Sequence, residues 1–233
     1  RYMKLPPNLK TLVRDMFGVV NPLDKIKCEQ CEEYIKPDIL VTIKDKKRYV
    51  SVKSGTANVV HSELITTVVP FLRSCGVSEK CLKTLCLYHF GDGTLDGSGK
   101  VRKDYHETYE WLHYDIKRFN DDINDDHNMV ISIIERFMFQ GVRDDVPGVD
   151  YLYFGDLEFG MAISKGQILR HLSVKSFNYY ENLHIGPLLI RPHAKYAHTE
   201  IKNDYSYKRV DFYWPNLKDD VKYIYQRYSN YYN

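Results

Sequence analysis

The sequence predicts a mixed α/β (α+β) protein in which a central sheet is flanked by helices. Three observations carry that expectation. Residues 39–43 (ILVTI) and 48–52 (RYVSV) are runs rich in β-branched side chains on either side of a polar turn, the pattern of a hairpin. Tyr109, Leu112, Ile116, Phe119 and Ile123 recur at spacings of three and four residues, the stripe of an amphipathic helix. Further apolar runs at 149–154, 188–191 and 210–213 alternate with helical patterns, so strands and helices are interspersed along the chain.

From the N-terminus, Leu9 to Phe17 reads as a short helix. The strands Ile39–Ile43 and Arg48–Val52 follow, joined by Lys44-Asp45-Lys46-Lys47. Ser62 is placed to cap a helix running through Glu63, Leu64, Ile65, Val68, Phe71 and Leu72, with a kink or break near Pro70. Cys81 to Phe90 reads as helix turning into strand, and Gly91–Gly99 (GDGTLDGSG) as a flexible turn. The helix bearing the Tyr109–Ile123 stripe precedes a more apolar one, Val130 to Phe139. Val149–Phe154 is a buried strand, Lys165–Leu172 a short helix, Leu188–Arg191 and Val210–Tyr213 strands, and Leu217–Tyr228 a closing helix. No Pro-, Gly- or Ser-rich linker divides the chain. It reads as one domain, 1–233, with a core over about residues 10–90 and an elaborated C-terminal half, 91–233, of helices plus strands.

Composition sets outer limits. A chain of 233 residues can bury a sizeable core. Its hydrophobic share of 43% suits a globular protein, and no apolar run approaches the ~20 residues of a membrane span. The start, RYMKLPPNLKTLV, lacks the apolar core of a signal peptide, and it begins with Arg1 rather than Met, as a fragment or a trimmed chain would. Five cysteines, an odd number without a small secreted framework, point to a reducing cytoplasm. A net charge of +2 speaks against a non-specific nucleic-acid binder but allows a locally basic cleft. The 20 tyrosines fit amphipathic packing.

The stretch KPDILVTIKDKKRYVSVKSG, from Lys36 to Gly55, concentrates the chemistry. A turn centred on Lys44–Lys47 pairs Asp38 with Lys53, Leu40 with Ser51 and Thr42 with Tyr49. On the other face Ile39 meets Val52 and Val41 meets Val50. Side chains alternate between faces along a strand. One face is therefore aliphatic, and the other gathers Asp38, Ser51 and Lys53. Directly opposed residues have Cβ atoms roughly 5 Å apart, close enough to share one ligand. An acid that holds a metal beside a lysine that steadies a phosphate suits the cutting of nucleic acid. The plain alternative is a surface hairpin with a cross-strand ion pair.

Pro37-Asp38, a gap of twelve residues, then Ser51-X-Lys53 resembles the PD-(D/E)XK nuclease superfamily, to which many type II restriction endonucleases belong. The resemblance covers residues 37–63 and implies a restriction-endonuclease-like core. It also implies that Asp38 holds Mg²⁺ and that Lys53 contacts the scissile phosphate or the attacking water. Ser51 departs from the majority pattern, in which an acid stands there; uncharged serine is a poor Mg²⁺ ligand. A subgroup with Ser-X-Lys takes its second carboxylate from a glutamate on the following helix, and Glu63 is the candidate for that role here. The implied metal shell is Asp38, Glu63 and the Val52 carbonyl, with Glu29, Glu32 or Glu33 as an upstream acid. The implied activity is Mg²⁺-dependent hydrolysis of DNA to leave 5′-phosphates, by a homodimer acting on a specific duplex sequence. Alternatives are a structure-specific repair or recombination nuclease, and a non-catalytic DNA-binding protein with a decayed core, which Ser51 favours. Candidate DNA-facing residues are Asn58 and His61, then Lys100, Arg102 and Lys103 behind the glycine-rich loop, and Arg191, Lys195 and Arg209 in the C-terminal half.

Other features carry less. Cys28-X-X-Cys31 is half a zinc site without a partner pair, so free cysteines are expected. Asp92–Gly97 lacks the third-position acid and closing glutamate of a calcium loop. Ser-Val-Lys-Ser recurs at 173–176 without Pro-Asp before it, which chance explains. Asp150 starts a hydrophobic strand, but no lysine-bearing partner strand follows at short range. His113 and His127 read as surface residues without the frame of an HNH nuclease.

Overall fold

The structure is a computed structural model that describes residues 1–233 except 57, 100–101, 157, 173–181, 194–204 and 230–233. Lys100, Lys195 and the second Ser-Val-Lys-Ser lie outside the described residues. The principal elements are α1 (Pro7–Phe17), β1 (Ile26–Gln30), β2 (Ile39–Ile43), β3 (Lys46–Lys53), β4 (Val59–Leu64), α2 (Ile65–Ser74), α3 (Glu79–Phe90), α4 (Tyr105–Asn124) and α5 (His127–Glu135). A π-helical turn, Arg136–Gln140, leads to β5 (Tyr151–Gly155), β6 (Gly160–Ser164), α6 (Lys165–Leu172), β7 (His184–Ile185), β8 (Leu188–Pro192), β9 (Arg209–Tyr213) and α7 (Leu217–Ser229). No helix among the described residues is long and apolar enough to cross a membrane. The chain forms two compact units, Arg1–Asn58 with Glu135–Val174 and Asn216–Asn233, and Val59–Ile134 with Lys175–Pro215.

The first unit holds a mixed five-stranded sheet in the order β1-β2-β3-β5-β6. Strands β1, β2 and β3 form an antiparallel meander, β5 runs parallel to β3, and β6 returns antiparallel to β5. Helix α1 opens with Pro7 in its first turn, where a missing N–H costs nothing. Its Met16, with Leu12 and Phe17, packs on Val41, Val50 and Ala162, and Ile39, Tyr151 and Tyr153 extend that cluster. The α1 C-terminus is tied to the sheet as well: the Met16 carbonyl accepts from Arg48 Nε at 3.2 Å and from the Tyr151 hydroxyl at 3.3 Å.

The β2–β3 register differs from the expected one. Ile39 pairs with Val50, Leu40 with Tyr49 and Val41 with Arg48. The turn is the two-residue Lys44-Asp45, with Lys44 at φ 54° and its ammonium 3.2 Å from Asp24. Such a tight turn needs positive φ, which lysine adopts only under constraint. The partner of each β2 residue thus moves by two positions. A slip of two leaves every side chain on its own face.

The second unit carries an antiparallel sheet in the order β4-β9-β8-β7, with helices α2 to α5. Residues 62–64 belong to strand β4 rather than to a helix, and α2 begins only at Ile65. Pairing with β9 decides this, with Ser62 opposite Asp211 and Glu63 opposite Val210. Helix α2 continues through Pro70 despite its Thr and Val content, because it buries Ile65, Val68 and Leu72. Helix α3 runs unbroken to Phe90, with Ser78 accepting from the Cys81 amide at 3.3 Å and Gly91 ending it at φ 62°. Asp104 and Glu107 form a capping box at the start of α4. One turn apart on that helix, Asn120 and Asn124 lace down the β7 region: their side-chain oxygens accept from the His184 amide at 3.0 Å and the Gly186 amide at 2.7 Å. The expected helix over Val130–Phe139 is α5 followed by the π turn, closed by the Gly141 amide on the Arg136 carbonyl at 2.8 Å.

Buried His89 on α3 gives this unit a pH dependence. Its Nε2 meets the Tyr207 carbonyl at 3.1 Å, and its Nδ1 has no partner among the described residues. Burial, reinforced by the Arg102 guanidinium, lowers its pKa from 6.5 to about 3. The unfolded chain therefore takes up this proton first as pH falls. The stability contribution is fully present above about pH 6.5 and is lost toward pH 3, at up to about 1.4 kcal/mol per pH unit. Denaturant titrations at pH 7 and pH 5 should show a loss of roughly 2 kcal/mol from this residue. His89→Gln should remove that part of the difference; an unchanged difference in the variant refutes the assignment.

Candidate active site

Asp38 stands just before β2, after the buried Pro37. Its main chain is held on both sides: its amide donates to the Val50 carbonyl at 2.9 Å, and its carbonyl accepts from the Cys31 amide at 3.0 Å. Carrying the observed register one step past Ile39 and Val50 puts Ser51, not Lys53, across from Asp38. The Asp38 carboxylate uses Oδ2 to accept from Ser51 Oγ at 3.0 Å and from the Val52 amide at 2.5 Å. Ser51 is 4% exposed, so its hydroxyl needs a partner, and Asp38 supplies it. Oδ1 of Asp38, on an exposed residue, meets no partner among the described residues.

Lys53 closes β3 two positions beyond Ser51 and so projects from the same face. No ion pair or hydrogen bond joins it to Asp38. The arrangement brings together a carboxylate clamped through one oxygen and open at the other, and a half-buried lysine further along the strand. The sequence puts Ser51 on the face of Asp38 and Lys53, among the candidate catalytic residues, but in the place of a missing acid. Its part as a donor to Asp38 depends on the two-residue turn, and Lys44-Asp45 lacks the Asn-Gly or Asp-Gly signature that marks such turns.

Asp150 precedes β5, which lies beside lysine-bearing β3 although the two are remote in sequence. It continues the ladder with both groups: its amide donates to the Tyr49 carbonyl at 2.8 Å, and its carboxylate accepts from the Tyr49 amide at 2.9 Å. Of the upstream acids, Glu29 lies on β1 in an ion pair with Lys27 at 2.8 Å, and Glu32 and Glu33 are exposed. Cys28 and Cys31 are free thiols. Burial raises the pKa of both, and at Cys31 Asp38 and Glu32 add to the effect.

Glu63 belongs to the second unit, and the helix expected to carry it is strand β4. It is buried, with Oε2 2.7 Å from Nε2 of the equally buried His61, whose ring lies 6.0 Å from that of Phe212. Asn58 is half-buried at the end of the first unit's opening stretch. Arg102 donates to the His89 carbonyl at 2.8 Å and lies 6.0 Å from the Tyr207 ring; burial lowers its pKa. Arg209 joins β9 to β4 through Ser62, with Nε to Oγ at 3.0 Å and Nη2 to the carbonyl at 2.6 Å. Arg191 is exposed over the Tyr213 ring at 5.5 Å. His113 and His127 are exposed.

Among the described residues, no group of three His, Cys, Asp or Glu side chains is placed to hold a metal ion. Mg²⁺, however, keeps several waters and binds through one or two carboxylates together with substrate phosphates, rather than in an all-protein cage. The open oxygen of Asp38 fits that partial shell. No protein-family model matches this chain, and no curated protein matches it.

Proposed function

We propose that this chain is a Mg²⁺-dependent DNA endonuclease, and specifically a type II restriction endonuclease that cuts a defined duplex sequence and leaves 5′-phosphates. The observation that carries the reading is Asp38, clamped through Oδ2 by Ser51 and Val52 and open at Oδ1, with Lys53 next on the same face. A mixed central sheet flanked by helices is compatible with the restriction-endonuclease-like core that the resemblance implies.

Mg²⁺, when bound, supplies Lewis acidity toward the phosphate and lowers the pKa of a bound water. Asp38 is the residue that would hold it, through the oxygen left open by Ser51 and Val52. The Ser51 hydroxyl and the Val52 amide keep the carboxylate in one orientation, so its free oxygen is positioned before substrate arrives. The Lys53 ammonium would orient the attacking water and offset charge that builds on the oxygens of the pentacoordinate transition state. The Glu63 assignment rests on the resemblance alone. Cutting both strands with one site per chain calls for a homodimer whose twofold axis matches a palindromic target. Five free cysteines agree with a reducing cytoplasm.

Incubation with supercoiled plasmid DNA and Mg²⁺ tests the proposal. The expected result is a set of discrete fragments with 5′-phosphate ends, abolished by a chelator. Cleavage confined to flaps, junctions or nicks puts the structure-specific nuclease in its place, and the absence of cleavage on all duplexes sinks the enzymatic reading.

A further inference from the structure

We propose that the second unit carries an anion site, built on His193 and Asp211, that grips a phosphate of the DNA backbone. Along β9, Arg209, Asp211 and Tyr213 share one face, and the β8 residue opposite Asp211 is Arg191. Asp211 is only 3% exposed, and its carboxylate faces His193 Nδ1 at 2.9 and 3.0 Å. Its Oδ2 also accepts from the Tyr213 hydroxyl at 3.3 Å. The His193 amide donates to the Arg209 carbonyl at 2.9 Å, which pins the residue just past β8.

The imidazole is bound along one edge only. Its side chain is 46% exposed, and Nε2 has no partner among the described residues. A buried carboxylate is costly unless it is hydrogen-bonded, and the His193 ring supplies that bond. With Nδ1 committed inward to Asp211, Nε2 is the ring atom left facing outward; an anion seated there would bind a ring carrying a proton on both nitrogens, with negative charge on either side of it. Arg191 adds an exposed guanidinium, whose planar fork suits phosphate. Arg209 contributes charge from the same face while it holds Ser62. Among the described residues, the charged side chains on this face of β8 and β9 are Arg191, Arg209 and the one acid Asp211, with His193 beside it. Tyr213 stays a neutral hydroxyl, because burial and Asp211 raise its pKa. The balance favours an anion over a metal ion. That the anion is a backbone phosphate rests on the proposed nuclease function; the anion chemistry itself does not.

Fluorescence anisotropy of a labelled duplex, measured in EDTA over a series of salt concentrations, tests the site without involving cleavage. His193→Ala and Arg191→Ala should each weaken binding roughly five- to tenfold and lower the salt slope by about one. Asp211→Asn, which keeps the shape and removes the charge behind the ring, should weaken binding as His193→Ala does. Unchanged affinity and slope in His193→Ala overturn the proposal, as does failure of the parent protein to bind duplex. A ³¹P titration with inorganic phosphate separates the sources: His193-dependent phosphate binding beside unaffected duplex binding also overturns the backbone assignment. A protein that binds duplex through His193 but never cuts it counts against the nuclease reading alone.

Discussion

Asp38→Ala is expected to abolish DNA cleavage, lowering the rate at least about a thousandfold, while the protein stays folded. The main-chain bonds that hold residue 38 to Cys31 and Val50 do not involve its side chain and survive the change. What is lost is the acceptor for Ser51 Oγ and the Val52 amide, which costs about 1–3 kcal/mol, less where water reaches the exposed site. Asp38→Asn sharpens the test, since it keeps the volume and one acceptor oxygen but removes the charge. It should be as inactive as the alanine variant and more stable. Titration calorimetry with Mg²⁺ should show binding that disappears with Asp38. Full activity in either variant rules out this site, and an inactive parent protein with no Asp38-dependent Mg²⁺ binding identifies a decayed core.

The second large effect is expected at Lys53. Lys53→Met keeps an apolar stem of similar length and removes the ammonium, so it isolates the charge. Loss of one preorganised cationic contact to the transition state lowers the rate about a hundred- to thousandfold. Stability should change by less than about 0.5 kcal/mol, because the Lys53 side chain makes no hydrogen bond or ion pair with another described residue, and its main-chain place beside Phe154 is kept. Lys53→Arg should not restore the rate, because a planar, delocalised guanidinium does not replace a compact ammonium. A drop in cleavage with unaltered duplex affinity is the expected signature. If affinity falls and the single-turnover rate does not, Lys53 serves binding rather than the chemical step.

The site was partly legible in the sequence. That Asp38, Ser51 and Lys53 share a face follows from the period of two along a strand, and it holds in either register. The partner of Asp38 was not legible, because Lys44-Asp45 carries no glycine to mark the turn. Helices α1, α4, α6 and α7 were legible from apolar spacing. Strand β4 was not: Ser62 followed by Glu63 imitates a helix start, and VVHSEL buries residues on both faces, so it shows no alternation. Strand β1 escaped notice for the opposite reason, since nearly all of it is exposed.

The sequence by itself determined what depends on near neighbours: which residues form amphipathic helices, and which side chains line one face of the Asp38 hairpin. These follow from backbone periodicity and steric preference within a few residues. Only the tertiary structure decided that β5 lies beside β3, that β4 pairs with β9, that Ser51 and Val52 clamp Asp38, and that Glu63 meets His61. Those pairings join segments or set a register through burial and hydrogen-bond satisfaction across the fold, which no local pattern encodes.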